Sequence, residues 1–303
     1  MRTGVVVPVH GFVPYLAETL DSVLTQAAGT ADVVVVDDGS PEPLHLHPDH
    51  ATHVSLVRRP DAGGPAVARA TGLAHLGSDV VLVALCDADD SWEEGALAAS
   101  LAALAAVPEA GWAFGRALVV GPDGRPTGER WPEPPAGRLD VAAFASVVYA
   151  SNPVPTSSVV LRRDALAQAG GFPSAVRVAE DWDLWLRLCA ARQDAVCVAG
   201  CTVRYRRHPG GLTADVTALA LAQLAVHEQH AALVGPRAAH QVIAGDHAAL
   251  AAGRARDGDR AAARSAWGEV AARRPLRAKE RLRRAALDIP LLRDRLGRGD
   301  PYG

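Results

Sequence analysis

Two valine-rich runs, each the length of one buried strand, end on clustered carboxylates. Residues 33–36 stop at Asp37-Asp38-Gly39-Ser40, and residues 80–86 stop at Asp87-Ala88-Asp89-Asp90. Continuous apolar runs of this length belong to sheets covered on both faces. In an open parallel sheet, ligands bind beyond the carboxyl ends of the strands. Aspartates packed together there repel one another unless a cation or hydrogen-bond donors sit among them. Oxygen ligands at this density suit a hard ion such as Mg2+ or Mn2+, which commonly shares its coordination shell with substrate phosphates. Either cluster alone reads more simply as a turn or helix cap, for which Asp-Gly-Ser and Asp-Asp-Ser are well suited. Two clusters at neighbouring strand ends favour a ligand site.

The first two-thirds of the chain keeps this alternation. Residues 4–9 are a continuous apolar run, and Pro14 opens a helix carrying Leu16, Leu20, Val23 and Leu24 at helical spacing. Residues 54–57 predict a third strand, and Gly63-Gly64-Pro65 leads into a helix through Val67, Ala70 and Leu73. The expected fold is α/β, a Rossmann-like, mostly parallel sheet flanked by helices. Between 111 and 160 the pattern loosens. Residues 112–120 and 157–161 read as strands, and 122–135, rich in Pro, Gly and charge, as a surface loop. A helix over 180–192, with Trp182 and Trp185 beside its apolar face, and a strand over 195–205 complete this part.

Past about residue 212 the character changes to alanine- and arginine-rich helical sequence. Residues 213–303 carry a net charge of +5 and residues 1–212 a net charge of −8. The expected division is an α/β domain at 1–212 and a helical C-terminal region at 213–303. The helix pair around Gly253, Asp257-Gly258 and residues 261–275 resembles one tetratricopeptide-like hairpin, though such repeats stack in threes or more. Arg273-Arg274, Arg277, Lys279, Arg281 and Arg283-Arg284 form a basic helical run. Its default reading is a solvated helix, and its alternative is peripheral contact with an anionic membrane surface.

Composition excludes several chemistries. Of 31 basic residues only Lys279 is a lysine, so the lysine of a Walker P-loop is missing from the α/β region, and no Schiff-base lysine stands near a site-like sequence. The arginine bias suggests a GC-rich bacterial genome. Cys86, Cys189, Cys197 and Cys201 show no C-x-x-C spacing and read as buried, reduced thiols. No apolar run approaches the roughly 18–20 residues of a membrane span, and Met1-Arg2-Thr3 shows no signal-peptide layout. The expected location is therefore cytoplasmic, with peripheral contact at the inner face of the membrane through the basic tail as the alternative. No nucleic-acid partner is expected, because a recognised module is missing and the net charge is −3.

The ordered motifs resemble family 2 glycosyltransferases of the GT-A fold. Pro8-Val9, Pro14-Tyr15-Leu16, Ser22-Val23-Leu24 with Gln26, and Val36-Asp37-Asp38-Gly39-Ser40 are similar to that family's opening. The likeness continues through Gly64, Ala68-Arg69 and Gly72-Leu73, then Asp87-Ala88-Asp89-Asp90 with Trp92, then Ser157 to Arg163 with Gly170-Gly171-Phe172. It closes with Glu180-Asp181-Trp182-Asp183-Leu184-Trp185, Tyr205-Arg206-Arg207-His208-Pro209 and Thr213. The resemblance implies an inverting, nucleotide-sugar-dependent transferase with Mn2+ or Mg2+ as cofactor. It assigns Asp38 to the nucleobase, Pro8, Val9 and Arg69 to the neighbourhood of the nucleotide, and Asp87 to the sugar and ribose. Asp89 would ligate the metal bridging the diphosphate, with His208 as a further ligand. Asp181 would be the general base, with Glu180 supporting it.

The implied partners are a nucleotide-sugar donor, UDP-sugars favoured, and a carbohydrate, lipid-linked or small-molecule acceptor. Where the family often has Tyr-Asn after its first strand this chain has His10-Gly11, and Ala70 follows Arg69 in place of the usual Asn. These departures bear on the nucleobase contacts. They also leave open an alternative, a catalytically silent nucleotide-sugar-binding or scaffold protein of the same fold. A dehalogenase-type phosphatase also uses Asp-x-Asp, but after its first strand and with a later lysine, and neither feature is met here.

Overall fold

The valine runs fold as expected. In the computed structural model, which describes residues 2–27, 29–172, 178–211 and 215–288, β1 (Arg2–Val9) has Val5, Val6 and Val7 fully buried. It lies inside the sheet because α1 (Leu16–Ala27) returns the chain along one face and delivers β2 (Ala31–Asp37) parallel to it. A single turn, α2 (Pro48–Ala51), precedes β3 (Ser55–Arg58), an edge strand whose side chains are largely exposed. Next, α3 (Pro65–His75) packs so closely on β1 that a Cβ on Gly72 would stand 2.4 Å from Val6 Cγ1. It returns the chain to β4 (Val80–Leu85), parallel to β1 on the side away from β2.

The second half of the sheet is mixed. The two-residue β5 (Ser91–Trp92), α4 (Ala96–Ala106) and the long β6 (Ala110–Val120) come next. They are followed by β7 (Pro126–Arg130), β8 (Gly137–Leu139), α5 (Val141–Ala150) and β9 (Val160–Arg162). After α6 (Arg163–Gln168) and α7 (Glu180–Ala190), β10 (Asp194–Arg206) is the last strand. The order is β3-β2-β1-β4-β9-β6-β10-β5, with β7 on β6 and β8 on β10. The β3-β2-β1-β4 block is parallel, as is β6-β10. Between them β9 runs antiparallel to both neighbours. Its lead-in, residues 151–159, crosses the carboxyl end of β4 before turning back.

Several elements depart from the sequence reading; the strand expected over 157–161, for one, is a 3-10 turn at Thr156–Ser158 followed by the short β9. The stretch 122–135, expected as a loop, contains β7, held antiparallel on β6 by pairs such as Leu118 with Arg130. The helices α4 and α5 are alanine-rich, so their buried faces leave little periodic trace; α5 is started by Asp140, which accepts from the amides of Ala142 and Ala143.

The fold divides into two compact units, Met1–Pro209 and Gly210–Gly303. The second contains α8 (Val216–His230), α9 (Pro236–Arg256), α10 (Arg260–Arg273) and α11 (Ala278–Ala286). Trp267, Val270 and Leu287 interlock with Ala244, Ala251, Ala263 and Ala266 in its core. The α9–α10 hairpin turns at Gly258, where φ is +85°. Thr213 lies outside the described residues. No helix among the described residues is long and apolar enough to cross a membrane.

Candidate functional site

Parallel pairing brings the ends of β1 and β2 together, with Val9 opposite Asp37. Pro8 and Val9 thus flank the first acidic cluster. Asp37 turns out to be its structural member. It accepts from the amides of Ser40 (2.9 Å) and Leu44 (3.1 Å) and pairs with Arg58 at 2.5 Å. Burial raises its carboxyl, but Ser40, Leu44 and Arg58 outweigh that and hold it below the ordinary range. Asp38 is buried too, and its oxygens accept from the amides of Gly63 (3.0 Å) and Gly64 (2.7 Å), with Arg59 Nε 2.7 Å away. The turn between these aspartates and Ser40 needs Gly39, at φ +63°, where a Cβ would meet the Asp61-Ala62 backbone at 2.5 Å. Gly39→Ala is expected to cost about 1–3 kcal/mol, read as a lowered midpoint in denaturant; an unchanged midpoint would show that the loops yield freely.

At the end of β4, Asp87 faces Arg69 of α3. The guanidinium is 3% exposed and forks between two carboxylates, Nη2 donating to Asp87 (2.6 Å) and Nη1 to Glu180 (2.8 Å). Burial works against its charge, and Asp87 and Glu180 more than compensate, leaving it above its ordinary value. The residue expected beside the nucleotide is therefore a buried strut tying β4 to the head of α7. Burial pushes the Glu180 carboxyl up to about 7, Arg69 opposing and Asp181 adding to the shift. Asp181 accepts from Thr156 Oγ1 (2.9 Å), Asn152 Nδ2 (3.2 Å) and its neighbour's amide, Trp182 N (2.7 Å). Burial raises its carboxyl despite these donors. Immediately before the pair, Ala179 sits at φ +60°, a left-handed conformation unusual for a residue with a Cβ.

The remaining aspartates meet the end of β10. Asp89 Oδ2 is 2.9 Å from His208 Nε2, and burial together with Asp87 raises the Asp89 carboxyl. Asp90 is buried, accepting from Ser157 Oγ (2.6 Å) and the amide of Arg206 (2.8 Å). Burial, Asp89 and Asp87 push its carboxyl well above the ordinary value. The Arg206 side chain joins three elements. It donates to the Asp89 carbonyl (3.0 Å), pairs with Glu18 of α1 (2.6 Å) and lies 4.4 Å over the Tyr15 ring. Tyr15 in turn packs against His208, with ring centroids 5.3 Å apart.

Two acidic groups thus face each other across Arg69, Asp87-Asp89 with His208 on one side and Glu180-Asp181 on the other. The partners Asn152, Thr156, Asp90 and Arg206 were not singled out from sequence. Asp90 and Arg206 stand within quoted motifs but were given no role, whereas nothing in the sequence marks Asn152 or Thr156. Trp182 and Trp185, beside the apolar face of α7, point inward. Trp182 donates to the Val148 carbonyl (2.6 Å), and Trp185 stacks on Trp112 with ring centroids 5.2 Å apart. The thiols of Cys86, Cys189 and Cys197 are free and buried.

A sheet of this order, with acidic strand ends facing an acidic helix head, defines the GT-A class. Solved structures carry the same fold. TarS of S. aureus aligns with 97% of this chain and 53% of its own, at 17% identity and a TM-score of 0.63. Its 1–349 fragment in complex with UDP-GlcNAc aligns with 95% of this chain and 89% of that one, at 16% identity and a TM-score of 0.63. The mannosyltransferase PcManGT from Pyrobaculum calidifontis, in complex with GDP-Man and Mn2+, aligns with 94% and 79%, at 21% identity and a TM-score of 0.58. In sequence, the succinoglycan biosynthesis protein ExoW of Rhizobium meliloti is 36% identical over 97 residues, which span 30% of this chain and 30% of ExoW. Residues 4–152 match glycosyl transferase family 2.

Proposed function

We propose that the α/β unit transfers a sugar from a nucleotide-diphosphate donor to an acceptor hydroxyl, with inversion and with Asp181 as general base. The observation that carries this reading is the Arg69 strut, which holds an anion-rich strand end and a buried acidic pair in one fixed frame. Transfer from an anomeric carbon needs charge stabilised on the departing diphosphate and a proton removed from the incoming hydroxyl. Asp87, Asp89 and His208 serve the leaving side. Asp181, oriented by Thr156 and Asn152 and raised above its ordinary value by burial, serves the other. Attack from that opposite side inverts the centre. Glu180 acts through Arg69 and on Asp181 by charge.

The donor set fits a divalent cation. Asp89 offers a carboxylate whose charge is disfavoured by burial and by Asp87, with an imidazole nitrogen beside it, a combination that suits Mn2+ better than Mg2+. Among the described residues no group of three or more such side chains is arranged to hold a metal. A cation here would therefore complete its shell from the diphosphate, as is usual for nucleotide sites. When bound it supplies charge stabilisation to that leaving group.

At the nucleotide end stand Pro8, Val9 and Asp38, the last already shared among Gly63, Gly64 and Arg59, so a base imide must displace one of those donors. The relatives solved with UDP-GlcNAc and GDP-Man support the donor class, UDP-sugars favoured. In the second unit, α11 exposes Leu282 (72%) among Lys279, Arg281 and Arg283. That surface fits peripheral contact with an anionic membrane face, where a lipid-linked acceptor would be presented.

A thermal-shift panel of UDP, dTDP, GDP and CMP with and without Mn2+ tests the donor side. At least one nucleotide is expected to raise Tm by about 5–10 °C at roughly 100 times its Kd, only with metal. Asp89→Ala should abolish the shift. Equal shifts in the presence of chelator would sink the metal-bridged diphosphate.

A further inference from the structure

The end of β7 and the stretch after it are strapped to the sheet at alternate residues. Glu129 pairs with Arg207 at 2.7 Å. The ring of Trp131 packs on Tyr205 at 4.7 Å between centroids, tilted by 59°. Glu133 lies 3.4 Å from Arg116, which also donates to the Pro134 carbonyl (3.3 Å), as does the Cys197 thiol (3.7 Å). Contacts to Arg116 of β6, Tyr205 of β10 and Arg207 just beyond it thus hold the segment around Trp131 in place. The indole remains only half-buried, and its N–H has no hydrogen-bond partner. A buried donor of that kind is normally satisfied.

Its partner ring faces the chemistry. Neighbouring residues on a strand point to opposite faces, and Arg206 faces Tyr15 and Glu18 of α1. Tyr205 therefore faces away from α1. On β6 the same division places Ala113 in the core beneath α1 and Trp112 on Trp185 of α7. Tyr205 is thus on the side of the sheet that carries Asp181. Burial and Asp90, with Asp181 and Asp89, push its hydroxyl above the ordinary value.

We propose that Trp131, braced by Tyr205, is the platform of an acceptor subsite for a pyranose ring. A sugar ring has an apolar face of C–H groups and a polar rim of hydroxyls, so it pairs with a rigid aromatic face that has hydrogen-bonding groups at its edge. The half-buried indole supplies that face. A ring stacked here lies on the side of Asp181, where the hydroxyl to be deprotonated must stand. The inference rests on the transfer reading insofar as the bound ring is the acceptor.

Saturation-transfer NMR on the full chain, with UDP and Mn2+ present, would probe four ligands: the methyl β-glycosides of glucose, galactose, mannose and N-acetylglucosamine. At least one should bind saturably. Trp131→Ala should weaken it by about tenfold or more, and Trp131→Phe, which keeps an aromatic face, by no more than about threefold. Melting temperature and UDP response of the same samples report on folding and on the donor site. Equal binding by Trp131→Ala, or no glycoside binding to a wild-type chain that responds to UDP, would overturn the platform. A chain that binds a glycoside through Trp131 but responds to no nucleotide would uphold the sugar site and defeat the transfer reading instead.

Discussion

Asp181→Asn is expected to lower the transfer rate by roughly 10²–10⁴-fold, the range a positioned general base contributes, while leaving nucleotide binding within about twofold. The substitution keeps the shape and removes the proton acceptor. Its surroundings follow most of the change, because the Thr156 hydroxyl rotates to accept from the new NH2 group, and only the contact with Asn152, whose Oδ1 is held by the Val154 amide, is lost. Stability should fall only slightly, so lost turnover cannot be assigned to unfolding. The nucleotide side is insulated, since Arg69 and Glu180 stand between Asp181 and Asp87. The check is a pre-steady-state rate with a responsive donor, alongside the nucleotide thermal shift. Turnover near that of the wild-type chain would remove Asp181 as the base and transfer attention to Glu180.

The acidic frame was legible in sequence because each half has a local signature. Val33–Val36 and Val80–Leu85 can only be buried strands, and the carboxylates that stop them fall at the sheet edge where ligands bind. Roles within the clusters were not legible. Asp37 and Asp38 are adjacent and chemically identical, yet the first is consumed by Ser40, Leu44 and Arg58 and the second by the Gly63-Gly64 amides. That outcome depends on loop geometry, which residue types do not encode. Arg69 reads as one helix residue among many. Its burial follows from the meeting of α3 with α7, a contact between segments far apart in the chain.

The aromatic residues show the same limit. Trp182 and Trp185 adjoin the catalytic-type acids in sequence but turn into the core. Trp131 and Tyr205, distant from each other along the chain, are the pair that β6 and β10 bring to the site's side of the sheet. The antiparallel insertion of β9 is equally silent, because a strand of three residues carries no directional information.

Arg69→Met should cost about 3–5 kcal/mol, the usual consequence of leaving a buried charge without its partner. In a unit of this size that corresponds to a fall in Tm of roughly 6–20 °C. Two carboxylates lose the same guanidinium at once, and methionine fills the volume without replacing the fork. The loss should depend on pH in a defined direction. Glu180 ordinarily titrates at 4.5 and is raised to about 7 in the folded chain. A raised carboxyl favours folding fully below its unfolded value and loses that contribution as pH climbs through its folded value. Without Arg69 the folded value climbs further, so the penalty should be smallest near about pH 5 and largest near about pH 8. Glu180→Gln in the Arg69→Met background removes the buried charge and should restore part of the stability at the higher pH, the coupling read from a double-mutant cycle. Denaturant midpoints for the four chains at both pH values decide it. A penalty that ignores pH, or no recovery in the double variant, would mean that Arg69 stabilises the frame by packing alone and that Glu180 does not depend on its charge.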